Sequence, residues 1–319
     1  MRVLAMVHLW PPDHCAGAEM MLESMLRPLA ERGHQVDVLL SRETGRTEPY
    51  QRNGITIHPR LDRLDPFRFL DSTDLIVTHL ENTARACVLG LQNKIPVVQV
   101  MHNNHPTSKA FLTPATSLAV FNSQWMAEDF AFDGRQLIVR PPVFAEDYRT
   151  TPGSKVTLIN LSDNKGADVF YALAQRLPEV QFMGVVGAYG EQILRDMPNV
   201  ELVGHGRDMR RVYGDTRVLL APSDYESWGR VAVEAMVSGI PVIANPTPGL
   251  LECLGDAGTF CDRTDLDAWE RELRRLLTPR SWKPASRRAL ARAAELDPTE
   301  DLNDWCQAVE AFRAIRKVA

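Results

Sequence analysis

Two glutamates, Glu226 and Glu234, stand eight positions apart in PSDYESWGRVAVEAMVSGIPVIA, residues 222–244. Glu234 is the one charge in the apolar run 231–237. A buried carboxylate without a partner is strongly unfavourable or takes up a proton. Glu234 therefore needs donors: a basic side chain, backbone amides or the hydroxyls of a ligand. Glu226 precedes that run, in the loop after the apolar stretch VLLAPS. Between the two acids, Trp228, Gly229 and Arg230 supply the first amides of a helix. Such amides have no intrahelical partner and sit at the positive end of the dipole, so they suit a phosphate. Gly229 allows close approach of the backbone. A phosphate at the helix start, with Glu226 beside it and Glu234 about two turns further in, matches the parts of a sugar nucleotide: sugar, diphosphate, ribose. The plain alternative is a solvated loop acid and a buried salt-bridge acid. Spacing alone does not choose between them.

These residues need elements to hold them. The stretch 230–238 has helical spacing, Gly239 suits the position after its end, and Pro241 prevents continuation. It is apolar on nearly all sides, so the helix lies inside its domain. PVIA is the next buried strand. Upstream, RVLAMVHL, QVDVLLS, GITIHP, DLIVTHL, VVQVMH, SLAVFNS and QLIVRPPVF read as short buried strands. Helical stretches separate several of them, notably 18–32, ended by Gly33, and 83–91. A second series follows: KVTLINL, a helix over 167–176, VQFMGVVG, VELVGH, a helix near 209–213, VLLAPS, and later GTFCD and helices over 265–277 and 301–317. Continuous apolar strands alternating with helices indicate parallel sheets covered on both faces. The expected fold is α/β, with two Rossmann-like doubly wound domains facing across a cleft and ligands outside the carboxyl ends of the strands. The expected division is an N-terminal domain over 1–146, a C-terminal domain over 147–300, and a terminal helix over 301–319 that packs back on the N-terminal domain.

The length of 319 residues suits two domains of ordinary size, and 45% apolar with 24% charged residues is a globular composition. A formal net charge of -5 gives no nucleic-acid footprint. No stretch reaches the roughly 18 apolar residues that span a bilayer. The opening MRVLAMVHLW reads as a strand ended by Pro11-Pro12, not as a secretion signal. Five scattered cysteines without C-x-x-C fit a reducing cytoplasm and argue against a disulfide framework or zinc site.

Taken together, the segments resemble family 4 of the retaining glycosyltransferases with the GT-B fold. Glu226 and Glu234 fit the E-x7-E pattern of those enzymes, followed by TPGLLE and GDAG. RVLAMVHLWPPDHCAGAEMMLESMLRPLAERGHQVDVLL resembles the first strand, glycine loop and helix of the family, and VVQVMH its strand ending in histidine. FNSQWM and RPPVFAEDY resemble the end of the acceptor domain and the crossover, and LSDNKGADVF the lysine segment that binds phosphate. The resemblance implies a transferase whose donor is a nucleotide diphosphate sugar, most simply a UDP- or GDP-sugar. The acceptor would be a glycan, small molecule or protein, and neither metal nor cofactor would be required. Gly17 matches the glycine facing the donor diphosphate. His102 and Glu226 match the residues lining the reacting sugar, and His105 would face an acceptor. Lys165 matches the lysine on the phosphates. Trp228, Gly229 and Arg230 match the residues offering amides beside Glu226, and Glu234 the ribose contact. Met209 falls where backbone holds the base. The family usually has an arginine five positions before the lysine, where this chain has Asn160. Asparagine donates hydrogen bonds but adds no charge, so Arg230 or a residue of the N-terminal domain would have to make up the difference.

Other motifs read as structure. Asp265-Leu266-Asp267 has the D-x-D form of a metal motif, but opens a helix where capping explains it. The glycines of GVVGAYG lack dinucleotide-loop spacing. His102 and His105 have no further metal ligands beside them. The methionine stripe over 20–26 is core packing. Two rival functions remain: a nucleotide-sugar epimerase on the same fold, and a sugar-nucleotide-binding protein with weak or lost catalysis.

Overall fold

The computed structural model describes residues 1–59, 67–206 and 208–316. The chain divides into two compact units, one of residues 1–142 with the C-terminal stretch from Pro298, the other Val143–Asp297. The division falls at 142 and 297, where the sequence reading placed it at 146 and 300. Val143 and Tyr148 lie in the core of the second unit, which draws the stretch between them into it.

In the first unit β1 (Arg2–Val7), β2 (Gln35–Leu40), β3 (Tyr50–Arg52), β4 (Ile55–His58), β5 (Leu75–His79), β6 (Val97–Met101), β7 (Leu118–Phe121) and β8 (Gln136–Ile138) form one sheet. Its order is β3-β4-β2-β1-β5-β6-β7-β8. All pairs are parallel except β3 with β4. That antiparallel edge is absent from the strand reading above. Its signal was Asn53-Gly54, both at positive φ, the residues a tight hairpin turn selects. β1, β5, β6 and β7 are buried along almost their whole length, as apolar strands covered on both faces must be. The helix Gly17–Glu31 presents Met21, Leu22, Met25, Leu26 and Leu29 to this core. The terminal helix Thr299–Arg316 packs on that helix: the Trp305 indole N–H donates to the Met25 carbonyl at 2.8 Å. Arg32 donates to Asn303 at 2.7 Å, and Asp301 accepts from the Arg140 backbone amide at 2.9 Å.

In the second unit β9 (Lys155–Ile159), β10 (Phe182–Val185), β11 (Val200–Val203), β12 (Thr216–Ala221), β13 (Val242–Ala244) and β14 (Thr259–Phe260) form an all-parallel sheet of order β11-β10-β9-β12-β13-β14. Phe170, Tyr171, Phe182, Trp269 and Leu273 fill one core. Tyr213, Trp228, Val233, Met236 and Leu254 belong to another. Burying one side chain of Phe170's size contributes roughly 1.5–3 kcal/mol. The helix Pro279–Glu295 escaped the sequence reading because its buried residues are only Ala285, Ser286 and Ala289. Small residues give no apolar periodicity to read.

Each sheet reverses its order of growth once, between β1 and β5 in the first and between β9 and β12 in the second. Doubly wound sheets bind ligands outside the carboxyl ends of the strands at such a point.

Candidate active site

β9 and β12 flank the reversal in the second sheet, and their carboxyl ends lead into the loops carrying Lys165 and Glu226. The Lys165 ammonium donates to Glu226 Oε1 at 2.5 Å, and Ser223 Oγ donates to the same oxygen at 3.0 Å. Burial disfavours the charge on Lys165, but the Glu226 carboxylate and the Tyr189 hydroxyl outweigh it and hold the pKa above the ordinary lysine value. Lys165 is therefore a cation throughout the physiological range.

Two features fix these loops. Arg263 reaches across both, with NH2 donating to the Asp163 carbonyl and to Asp168, each at 2.8 Å, and NH1 2.5 Å from Asp224. Glycines bring backbones together. Gly166, beside the lysine, sits at φ +85°, and a Cβ there would fall 2.8 Å from the Pro222 carbonyl oxygen. A Cβ on Gly249 would fall 2.3 Å from the Glu226 carbonyl oxygen. The glycine of TPGLLE is thus a packing requirement of the Glu226 loop.

Asn160 follows β9 in the left-handed region, at φ +72°, which asparagine tolerates better than most residues. Its side chain is buried and committed. Oδ1 accepts from the Ser162 amide at 3.1 Å and from Gln192 Nε2 at 2.8 Å, while Nδ2 donates to the Tyr189 carbonyl at 3.4 Å. Gln192 completes the lock by accepting from the Leu161 and Gly187 amides, at 2.9 and 2.8 Å. The residue in the place of the family's arginine thus ties down the loop that carries Tyr189.

Arg230 is held by residues of its own unit in this structure. It opens the seven-residue helix Arg230–Met236. Its Nε donates to Glu234 Oε1 at 2.8 Å and its NH2 to the Tyr148 hydroxyl at 2.9 Å. Tyr213 donates to the other oxygen of Glu234, at 2.8 Å. Both oxygens of the buried acid are thus served within its own unit. Burial, with the Glu234 carboxylate next in weight, pushes the Tyr148 hydroxyl up to about 12 and raises Tyr213 well above the ordinary tyrosine value. Of the donors the sequence allowed for Glu234, the structure shows a basic side chain and a phenol. Trp228 is buried in the core, and Gly229 caps the helix at φ +119°. The buried Cys253 thiol, its pKa raised by burial, backs the Gly229 carbonyl at 3.7 Å. The Met209 side chain packs with Val185, Val203 and Val212, leaving its backbone at the start of the helix Met209–Asp215.

In the first unit the strands flanking the reversal point, β1 and β5, are followed by His8 and end in His79, and the neighbouring β6 is followed by His102. His79 Nδ1 lies 3.0 Å from His102 Nε2. His8 Nε2 is 2.9 Å from Glu19, which also meets His14 at 3.3 Å. Burial lowers His102 to about 4 and holds His79 well below the ordinary histidine value, so both rings are neutral. Gly17 begins its helix exposed, and a Cβ there would meet nothing within 4 Å. The protein's own packing does not demand a glycine at that place. His105 is exposed before the short helix Pro106–Phe111. Sequence reasoning missed His8, Glu19, His79, Ser223, Tyr189, Gln192 and Arg263. For the histidines the signal was a shared position, each at the end of an apolar strand. The D-x-D acids have their own partners: Asp265 accepts from the Ala268 amide at 2.9 Å, and Asp267 pairs with Arg176.

The two units together have the GT-B fold, each built on a Rossmann-like parallel sheet. Residues 156–279 match the family described as glycosyl transferases group 1. Sucrose-phosphate synthase from Thermosynechococcus elongatus superposes with a TM-score of 0.77 at 16% identity, covering 100% of both chains. HepE from Anabaena, in complex with UDP and glucose, superposes with a TM-score of 0.76 at 19% identity, covering 98% of this chain and 100% of that one. At these identities the likeness shows the fold. The O-antigen chain mannosyltransferase B of Escherichia coli is 36% identical over 89 residues, which cover 28% of this chain and 23% of that protein. The D-inositol 3-phosphate glycosyltransferase of Salinispora tropica is 40% identical over 93 residues, 28% of this chain and 18% of that protein. The chain thus covers under a quarter of the length of these two relatives. The family match is confined to residues 156–279, and the structural likeness is one of fold. Among the described residues, no helix is long and apolar enough to cross a membrane.

Proposed function

We propose that the protein is a retaining glycosyltransferase that moves a sugar from a nucleotide diphosphate sugar to a glycan, small-molecule or protein acceptor in the cytoplasm, with neither metal ion nor cofactor. The observation that carries this reading is the Lys165–Glu226 pair on the two loops flanking the reversal point of the second sheet. A fixed cation there meets the charge that develops on a departing diphosphate, and preorganised charge of this kind is the largest single contribution in many enzymes. Glu226, released from part of its contact with Lys165 when phosphate enters, turns to the hydroxyls of the sugar. The resemblance assigns His102 to the transferred sugar, Gly17 to the diphosphate, and the backbone of Met209 to the base. It also assigns the amides from Trp228 to Arg230 to phosphate. Glu234 positions Arg230 and Tyr213, and any ribose hydroxyl would share oxygens that already accept bonds from them. HepE in complex with UDP and glucose favours a UDP-sugar, with a GDP-sugar next. The partial matches carry transferase names, which favours transfer over epimerisation.

The test is a screen of UDP-, GDP-, ADP- and dTDP-sugars for binding and for slow hydrolysis. Binding of one nucleotide series, lost in Lys165→Ala, is the expected result. No binding by any of them would overturn the reading.

A further inference from the structure

His79 is wholly buried, with no exposed surface, at the end of β5. One of its nitrogens, Nδ1, meets His102 Nε2 at 3.0 Å. The other, Nε2, has no hydrogen-bond partner among the described residues. A single proton lies between two neutral imidazoles, and each neutral ring carries one N–H and one lone pair. If His102 were the donor, the remaining proton of His79 would sit on Nε2, a buried N–H with nothing to receive it. If His79 is the donor, Nε2 is a bare lone pair. Orphaned buried N–H groups are the rarer case, because an unmet donor loses its whole hydration. The arrangement in which His79 Nδ1–H donates to His102 Nε2 is therefore the one the burial selects. His102 is then protonated on Nδ1, a nitrogen that no described residue bonds.

We propose that His79 is a positioning residue that locks His102 in its Nδ1–H tautomer, so that His102 offers a sugar hydroxyl or ring oxygen a neutral hydrogen-bond donor and does not act as a base. The part concerning the sugar rests on the transferase reading above; the part concerning the two rings does not. The low pKa values of both histidines agree with a neutral donor. The nearby His8 ring, 5.3 Å from His79 between centroids, has its own Nε2 taken by Glu19 and further disfavours a charge on either ring of the pair.

The test uses the full chain labelled with 15N-histidine and long-range proton–nitrogen correlation spectra near neutral pH. The His102 signals are assigned by their loss in His102→Ala. The expected result is a protonated Nδ1 and an unprotonated Nε2 on His102. His79→Leu removes the donor and should give a mixture of tautomers with kcat lowered about 10- to 100-fold, the size of loss known when the partner that orients a metal-bound histidine is removed, and a smaller change in KM for the donor. His79→Asn, whose amide can donate to the same nitrogen, should restore both the tautomer and most of kcat. An unprotonated Nδ1 in the wild type overturns the proposal, as does an unchanged tautomer in folded His79→Leu. If the tautomer is as stated but His102→Ala transfers sugar at the wild-type rate, the role at the sugar falls and the positioning by His79 stands. Absence of turnover with every donor would count against the transferase reading and leave the spectra to decide the rest.

Discussion

Lys165 and Glu226 come from loops 61 residues apart in the chain, yet their charged atoms meet at 2.5 Å. Gly166, packed against Pro222, and Arg263, gripping Asp163, Asp168 and Asp224, hold those loops together. The Lys165 charge is thus compensated by the Glu226 carboxylate. Under the proposed function, an incoming diphosphate competes with the Glu226 carboxylate for Lys165. Lys165→Ala should lower kcat by about 10²–10³-fold, the usual loss of one preorganised charge, and weaken nucleotide binding. Ser223 still serves Glu226 in that variant, so thermal unfolding should shift little. Glu226→Gln should lower kcat and, with the competing charge removed, leave nucleotide affinity undiminished or tighter. Steady-state kinetics beside calorimetry separates the two, and full activity in both variants would remove this pair from the mechanism.

The buried ion pair of Arg230 and Glu234 predicts a different outcome. Glu234 is 5% exposed and receives Arg230 and Tyr213. Glu234→Gln would remove the carboxylate that pairs with the buried Arg230. Breaking a buried pair by removing one partner costs about 3–5 kcal/mol. Denaturant unfolding should show a loss of that order. A loss of nucleotide binding with stability unchanged would instead make Glu234 a ligand contact and little more.

Acid should weaken the first unit in a defined window. His102 is lowered to about 4 and His79 well below the ordinary value, whereas both titrate near 6.5 in the unfolded chain. Between those values the unfolded state binds protons that the folded state refuses. Stability therefore falls as pH drops from about 6.5 to about 4, by at most about 1.4 kcal/mol per pH unit for each histidine. Above the unfolded value the contribution is constant. For Glu19, burial raises the pKa but the His8 contact outweighs it, and its net lowered pKa matters only in more acid solution. Thermal midpoints measured from about pH 7 to about pH 4 should fall, and the slope should shrink by about one proton in His79→Leu. A flat profile across that window would show that the rings are hydrated.

Much of this was legible in the residues and some was not, for physical reasons. Thirteen strands match apolar runs in the sequence because parallel strands are buried on both faces and need continuous Val, Ile and Leu. The missing strand, β3, is a short edge with a single inward-facing pattern to show. Glu234 was conspicuous because a charge in an apolar helix always needs a partner. The partner's identity was not, since Tyr213 lies 21 residues upstream and only the packing of two helices brings it near. The same holds for His8, His79 and His102. Each is an ordinary histidine at a strand end until the order β1-β5-β6 makes them neighbours.

Asn160 gives the prediction that turns most directly on structure. In the family it resembles, an arginine at this place adds charge, so Asn160→Arg would be expected to strengthen binding of a diphosphate. The structure argues the opposite. Asn160 is held at φ +72° and bonds Ser162, Gln192 and Tyr189. It lies so close to Gly187 that a Cβ there would come within 2.3 Å of its Cγ. A guanidinium cannot keep these bonds, and a left-handed conformation costs a branched or long residue roughly 1–2 kcal/mol. Asn160→Arg should therefore lower the thermal midpoint and weaken nucleotide binding, because the Tyr189 loop beside Lys165 comes loose. Asn160→Gly, free of the backbone strain but lacking the bonds, should lose about 1–3 kcal/mol for the buried groups left unmet. Gln192→Ala should resemble it. Calorimetry with UDP and GDP on the three variants checks this, and tighter binding by Asn160→Arg would show that the loop yields and that charge alone limits the site.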